Sequence, residues 1–270
     1  MSPSEAAGTG TPAGGPAAGE WVRRFHPAPA APLRLVCLPH AGGSATFWFR
    51  LSASLAPDVD VLAVQYPGRQ ERRLEPPRTD LHDLADEVTR VLLPLLDRPY
   101  ALLGHSMGAL LGYEVARRLR RSGHPAPVAL YASGRRAPHI HRPDDVHLRD
   151  DAGVVAELRR TGGTDSEVLG DEEMLRLLLP AVRGDYQAVE TYRYRPGRAL
   201  DCPITVLTGD SDPHVLPQEA VAWSVHTVSR HEVRTYPGGH FYLTGRFGEI
   251  AALLRGRLRA VPQGDAARTA

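Results

Sequence analysis

The chain has 270 residues, with 32 basic and 31 acidic side chains, and every basic one is arginine. A net charge of +1 supplies no long-range field to draw in nucleic acid or an anionic bilayer, so neither is an expected partner. The lack of lysine excludes a lysine Schiff base, and with it covalent pyridoxal chemistry.

Residues 1–20 are mostly Gly, Ala, Pro, Ser and Thr, without the charged start and apolar stretch of a signal peptide. They read as a disordered tail ahead of one domain over 21–260. No apolar run reaches the ~20 residues that span a bilayer, so a soluble, cytoplasmic protein is expected. From residue 33 onward, short apolar runs alternate with helical patterns, the rhythm of βαβ units and hence of a mostly parallel sheet. Leu33 to Leu38, Val59 to Val64, Tyr100 to Leu103, Val128 to Tyr131, Ile204 to Leu207 and His231 to Tyr236 are the predicted strands. Leu81, Leu84, Val88 and Leu92 recur at helical spacing behind Thr79 and Asp80, which can cap the first exposed amides. Leu111, Val115 and Leu119 mark the next helix. The stretch from about 135 to 196 holds helical pieces and no convincing strand, so it reads as an inserted lid. Its helices are expected over Val154 to Arg160 and Glu172 to Tyr194, with Pro180 and Gly184 bending or interrupting the second. Gly153 is expected to leave the first one short or mobile. A last helix starts near Arg246 and ends near Leu258, and 261–270 read as a frayed tail. Cys37 and Cys202 fall in apolar runs, which predicts buried, reduced thiols.

Gly104-His105-Ser106-Met107-Gly108 follows a predicted strand and opens a predicted helix, which is the context of a nucleophile elbow. Such a turn is too tight for side chains at both flanks. It lifts the Ser106 hydroxyl above the sheet edge, where the helix amino terminus favours developing negative charge. The elbow assigns an α/β-hydrolase fold: a mostly parallel central sheet flanked by helices, with an inserted helical lid. A serine hydroxyl is a weak nucleophile and needs a base, which in this fold follows the acid in chain order. His240, in Gly238-Gly239-His240-Phe241, is the candidate base, and Asp212, just past Ile204 to Leu207, the candidate acid that orients it. Asp210 stands on the same loop and competes for that role; we favour Asp212. The tetrahedral intermediate needs two amide donors, for which Met107 and Ala41 are the candidates. His105 reads as a packing residue and His40 as a loop residue. His139, His141 and His147 lie close in sequence, but no cysteine or carboxylate cluster at ligand spacing joins them, so neither a metal nor a cofactor is expected.

Five blocks in order resemble the type II thioesterases that work beside polyketide synthases and non-ribosomal peptide synthetases, over about Leu33 to Leu258. They are Pro39-His40-Ala41-Gly42-Gly43, Gln65-Tyr66-Pro67-Gly68-Arg69, Gly104-His105-Ser106-Met107-Gly108-Ala109, Ser133-Gly134-Arg135-Arg136-Ala137-Pro138 and Gly238-Gly239-His240-Phe241-Tyr242-Leu243. Arg183-Gly184-Asp185-Tyr186 through Tyr192-Arg193-Tyr194 resembles the later part of that family's lid. The resemblance implies a hydrolase that clears stalled acyl groups from the phosphopantetheine arm of acyl or peptidyl carrier proteins. It places the catalytic acid on Asp212, the aspartate before proline, and the oxyanion donors on Ala41 and Met107. A monomer is expected. A carboxylester hydrolase or an acyltransferase acting on free small-molecule esters would use the same three side chains.

Overall fold

Seven short runs of residues pair into one sheet in the computed structural model, which describes residues 18–164 and 167–258. In chain order the elements are α1 Ala18–Trp21, β1 Val22–Arg23, β2 Arg34–Leu38, α2 Phe49–Leu55, β3 Asp60–Val64, α3 Leu81–Leu92, β4 Tyr100–His105, α4 Met107–Arg121 and β5 Ala129–Ser133. They continue with α5 Asp151–Thr161, α6 Glu172–Glu190, β6 Ile204–Gly209, α7 Pro217–Val221, β7 His231–Tyr236 and α8 Phe247–Leu258. The sheet order is β1-β3-β2-β4-β5-β6-β7, with β1 antiparallel to β3 and every other pair parallel.

Strands β2 to β6 are buried along their whole length, which is why they read as continuous apolar runs. Successive side chains alternate between two cores. Val36, Leu38, Leu102, Leu130, Ile204 and Val206 enter one, and Leu35, Cys37, Leu103, Tyr131 and Leu207 the other. Helices α3 and α4 cover the first face, and α2 and α8 the second. Asp80 caps α3 as the sequence suggests, accepting from the His82 and Asp83 amides at 2.7 and 3.1 Å. β2 and β4 are neighbours, but the chain leaves β2 for β3 on one side and returns to extend the sheet on the other. A crevice opens at the carboxyl ends of strands where connections diverge in this way.

Some boundaries differ from the expectation. Residues 18–20, expected in the tail, belong instead to the helical turn Ala18–Trp21, and the buried Trp21 indole lies under the Arg72 guanidinium, 4.0 Å from the ring centroid. The tails over 1–17 and 259–270 lie outside the described residues. Cys37 is in β2, whereas Cys202 lies just before β6; both are buried and free. The insertion between β5 and β6 contains α5 and α6 and, among the described residues, no strand. α6 runs unbroken through Pro180 and Gly184. Pro180 sits on its exposed side, so the carbonyl that loses its partner is open to water, and Gly184 lies where the helix crosses Pro77. Gly153 does not shorten α5, which has 11 residues, since its amide N–H donates to the capping Asp150 side chain at 2.8 Å. The insertion has its own small core of Val146, Val154, Leu158, Leu169, Leu179 and Val182. Among the described residues, no helix is long and apolar enough to cross a membrane.

Candidate active site

The turn between β4 and α4 admits only glycine at both flanks. A Cβ on Gly104 would lie 1.9 Å from the Gly108 carbonyl oxygen, and one on Gly108 would lie 2.0 Å from that of Leu38. Between them Ser106 adopts φ +53°, a strained conformation for a residue with a side chain, and its amide N–H donates to the Ser133 carbonyl at 2.8 Å. The strain and the anchoring to β5 are how a nucleophile elbow presents its hydroxyl. Met107, next in the chain, opens α4 with its amide at the helix amino terminus.

At the carboxyl ends of β6 and β7, two loops interlock. A Cβ on Gly209 would meet the Gly238 carbonyl oxygen at 2.2 Å, so the loops pack backbone to backbone. The loop after β7 thereby brings His240 to Asp212, with Nδ1 2.9 Å from Oδ2 and 3.1 Å from Oδ1, both side chains buried. Asp212 Oδ1 also accepts the His214 amide N–H at 2.8 Å. Asp210, the competing acid, is exposed and instead accepts the Gly238 amide N–H at 3.0 Å. It ties the histidine loop down without touching the imidazole.

Ser106, His240 and Ala41 line one cavity of about 160 Å³, and the insertion closes it with Leu158, Tyr186 and Val189. Ala41 lies in the loop after β2, whose turn is closed by the Gly43 amide donating to the His40 carbonyl at 2.9 Å. An open groove of about 760 Å³ meets this cavity at His40, Gly163 and Thr164.

The other histidines here do more than the sequence suggests. His40 and His214 line the cavity, and the rings of His105 and His214 pack against His240 at centroid distances of 4.9 and 4.7 Å. Burial, and next the charge His240 would carry, hold His40 down to about 3 and His214 to about 4, and push His105 well below the usual range. All three are therefore neutral at pH 7 and add no cation beside His240. His105 is also fixed from below, with Nδ1 hydrogen-bonded to Ser133 Oγ at 3.0 Å, which in turn bonds the Tyr242 hydroxyl at 2.7 Å. Sequence reasoning missed Ser133, Tyr242 and His214; Tyr242 and Ser133 do lie inside two of the five motif blocks. His139 bonds His226 at 2.7 Å and His147 bonds Glu190, so the early histidines go to separate partners. Among the described residues, no group of three or more His, Cys, Asp or Glu side chains is placed to hold a metal ion.

The Thioesterase domain family matches residues 33–258, which takes in the whole sheet from β2 and every candidate site residue. The chain belongs to the thioesterase family. This thioesterase is 53% identical over 227 residues to the probable cadicidin biosynthesis thioesterase of Streptomyces griseus, covering 84% of this chain and 63% of that one. It thus spans less than two thirds of that relative's length. It is 48% identical over 233 residues to the thioesterase PikA5 of Streptomyces venezuelae, covering 86% of this chain and 83% of the relative. Among solved structures, the type II thioesterase BorB from the borrelidin biosynthetic cluster superposes with a TM-score of 0.83 at 52% identity, covering 88% of this chain and 98% of BorB. These likenesses put the thioesterase in the type II branch and its sheet in the α/β-hydrolase fold.

Proposed function

We propose that this thioesterase hydrolyses short acyl thioesters held on the phosphopantetheine arm of acyl or peptidyl carrier proteins, with Ser106 as nucleophile, His240 as general base and Asp212 as the orienting acid. The observation that carries the reading is His240 Nδ1 bonded to Asp212 at 2.9 Å, with His240 and the strained Ser106 lining the same cavity. With Nδ1 committed to the carboxylate, Nε2 is free to take the serine proton. Ser106 Oγ then attacks the thioester carbonyl carbon, and the Ala41 and Met107 amides receive the oxyanion. When the tetrahedral intermediate collapses, the carbon–sulfur bond breaks and the imidazolium returns its proton to the departing thiolate. Water, deprotonated by the same imidazole, then attacks the acyl-serine ester; when this second intermediate collapses, the carbon–Oγ bond breaks, the imidazolium returns its proton to Ser106 Oγ, and the free acid leaves.

The cavity is smaller than the ~300–1,000 Å³ usual for drug-sized ligands, which supports short acyl groups. The arm would lie in the adjoining groove, where contacts remote from the carbonyl supply binding energy that positions the thioester. The biosynthetic names of the relatives support carriers as partners and removal of stalled groups as the task. The enzyme acts in this reading as a cytoplasmic monomer. The deciding experiment is hydrolysis of acyl carrier thioesters, matched coenzyme A thioesters and simple oxygen esters, followed by intact mass spectrometry. Higher kcat/KM on the carrier is expected; turnover of esters with no carrier thioester touched would leave a carboxylester hydrolase.

A further inference from the structure

The lid reaches into the loop after β2 through one carboxylate. Asp185, on α6, accepts the Gly42 amide N–H on Oδ2 at 2.7 Å, and the same oxygen is gripped by the Arg69 guanidinium. The side chains of Asp185 and Arg69 are only 1% and 5% exposed. Gly42 stands at φ +75°, and a Cβ there would come within 2.7 Å of Val182 Cγ2, one turn earlier on α6. The lid helix therefore rests on bare backbone at this loop.

Backbone geometry turns that contact into an aiming device. Each peptide group is planar, so fixing one of its atoms by a hydrogen bond fixes the whole plane up to a rotation. The plane joining His40 to Ala41 contains both the His40 carbonyl, which accepts from the Gly43 amide at 2.9 Å, and the Ala41 N–H. The next plane, joining Ala41 to Gly42, is held by Asp185. Beyond these, Tyr66 OH donates to the Pro39 carbonyl at 3.1 Å, and Gln65 Oε1 accepts the Ala45 amide at 2.7 Å, so the loop is tethered at both ends. The direction of the Ala41 N–H is then set by two pinned planes, one of them pinned by the lid.

A buried ion pair is weak as a stabiliser, because desolvation offsets its attraction. Burial in fact pushes the Asp185 carboxyl up to about 6, against the pull of Arg69 and the Gly42 amide. An apolar pair would fill the space as well; only an acceptor can hold the amide. We propose that Asp185 is a positioning residue, the lid carboxylate that pins the Gly42 peptide and so aims the Ala41 amide at the oxyanion. This rests on the reading of Ala41 as an oxyanion donor. It makes the oxyanion site complete only while α6 is seated.

The test compares two double variants that both remove the buried charges and so leave neither one unpaired. Arg69→Met with Asp185→Asn keeps an acceptor for Gly42, whereas Arg69→Met with Asp185→Ala does not; Asp185→Val replaces alanine if that double does not fold. Each is assayed on an acyl carrier thioester and on p-nitrophenyl acetate, since the oxyanion forms on either. The asparagine double should keep kcat within about three-fold of wild type, and the alanine double should lose about 10- to 100-fold in kcat with KM within about two-fold. Equal kcat in the two doubles, or a loss confined to KM, overturns the proposal alone. Wild type inactive on both substrates, or Ser106→Ala retaining activity, overturns the reading beneath it and the proposal together.

Discussion

At the scale of single residues, the loop after β6 carries two aspartates with separate duties. Asp212 holds the His240 ring nitrogen, and Asp210 holds the Gly238 amide. Asn at 212 would present the wrong group to Nδ1 and favour the wrong tautomer, so kcat should fall by about 10⁴-fold. Asn at 210 keeps an oxygen for the Gly238 amide, and kcat should stay within about ten-fold, since the imidazole is untouched. Steady-state kinetics on both variants checks this, and a larger loss at Asp210 than at Asp212 would reverse the assignment. Ser106→Ala should abolish labelling by a fluorophosphonate, read by intact mass, because that reagent needs the activated hydroxyl. The elbow glycines answer to sterics alone. Gly108→Ala forces a Cβ to within 2.0 Å of the Leu38 carbonyl oxygen, and overpacking against backbone should cost about 3 kcal/mol or more in a urea titration.

At the scale of elements, the lid is held less firmly than the sheet it covers. The first turns of α6 lie largely in solvent, with Met174 45% and Leu177 56% exposed, whereas every residue of β4 is buried. Amides of Leu175 to Leu178 should therefore exchange with deuterium orders of magnitude faster than those of Leu102 to Gly104. Equal protection, measured by mass spectrometry of peptides, would count against a lid that opens by itself. Strands β2 to β6 were legible because burial on both faces makes them largely apolar, whereas β7, half-exposed, shows only as a short run before the histidine loop, and Asp80 and the Leu81 to Leu92 spacing announced α3 without help. Ser106, Asp212 and His240 could be named as candidates because tight turns need glycine and the chain order is characteristic of the fold, and the structure brings two of them, Asp212 and His240, into hydrogen-bond contact. β1 was not, since two residues have no period, and α6 was misjudged because solvent exposure of Pro180 is a tertiary fact. Asp185 was visible only as part of a motif block, for nothing in the sequence says that a lid carboxylate meets a loop 143 residues earlier.

At the scale of the whole molecule, near-neutral net charge leaves stability to depend on which groups change protonation on unfolding. His40, His214 and His226 are held to about 3, 4 and 4, in each case mainly by burial, against an unfolded value near 6.5. A depressed histidine keeps the fold neutral while the unfolded chain takes up the proton. Their contribution is therefore complete above pH 6.5 and is lost as the pH falls from 6.5 toward 4, amounting to ~2 kcal/mol each at pH 5. Asp185 acts in the opposite sense, since its carboxyl is raised to about 6 and the fold binds that proton more tightly than the unfolded chain; it returns ~1 kcal/mol at pH 5. The paired Glu114 and Glu157 sit below the usual carboxylate range, so their contributions persist until lower pH. The balance is a loss of several kcal/mol between pH 7.5 and pH 5.0, a large part of the ~5–15 kcal/mol typical of folded proteins. Urea midpoints at the two pH values should differ accordingly, with the slope of unfolding free energy against urea unchanged. His226→Gln removes one of these buried-histidine titrations and should shrink the pH difference, even if it lowers stability at both pH values. Coincident midpoints in wild type, or a pH difference untouched by that substitution, would show that buried neutral histidines do not govern the acid limit of this fold.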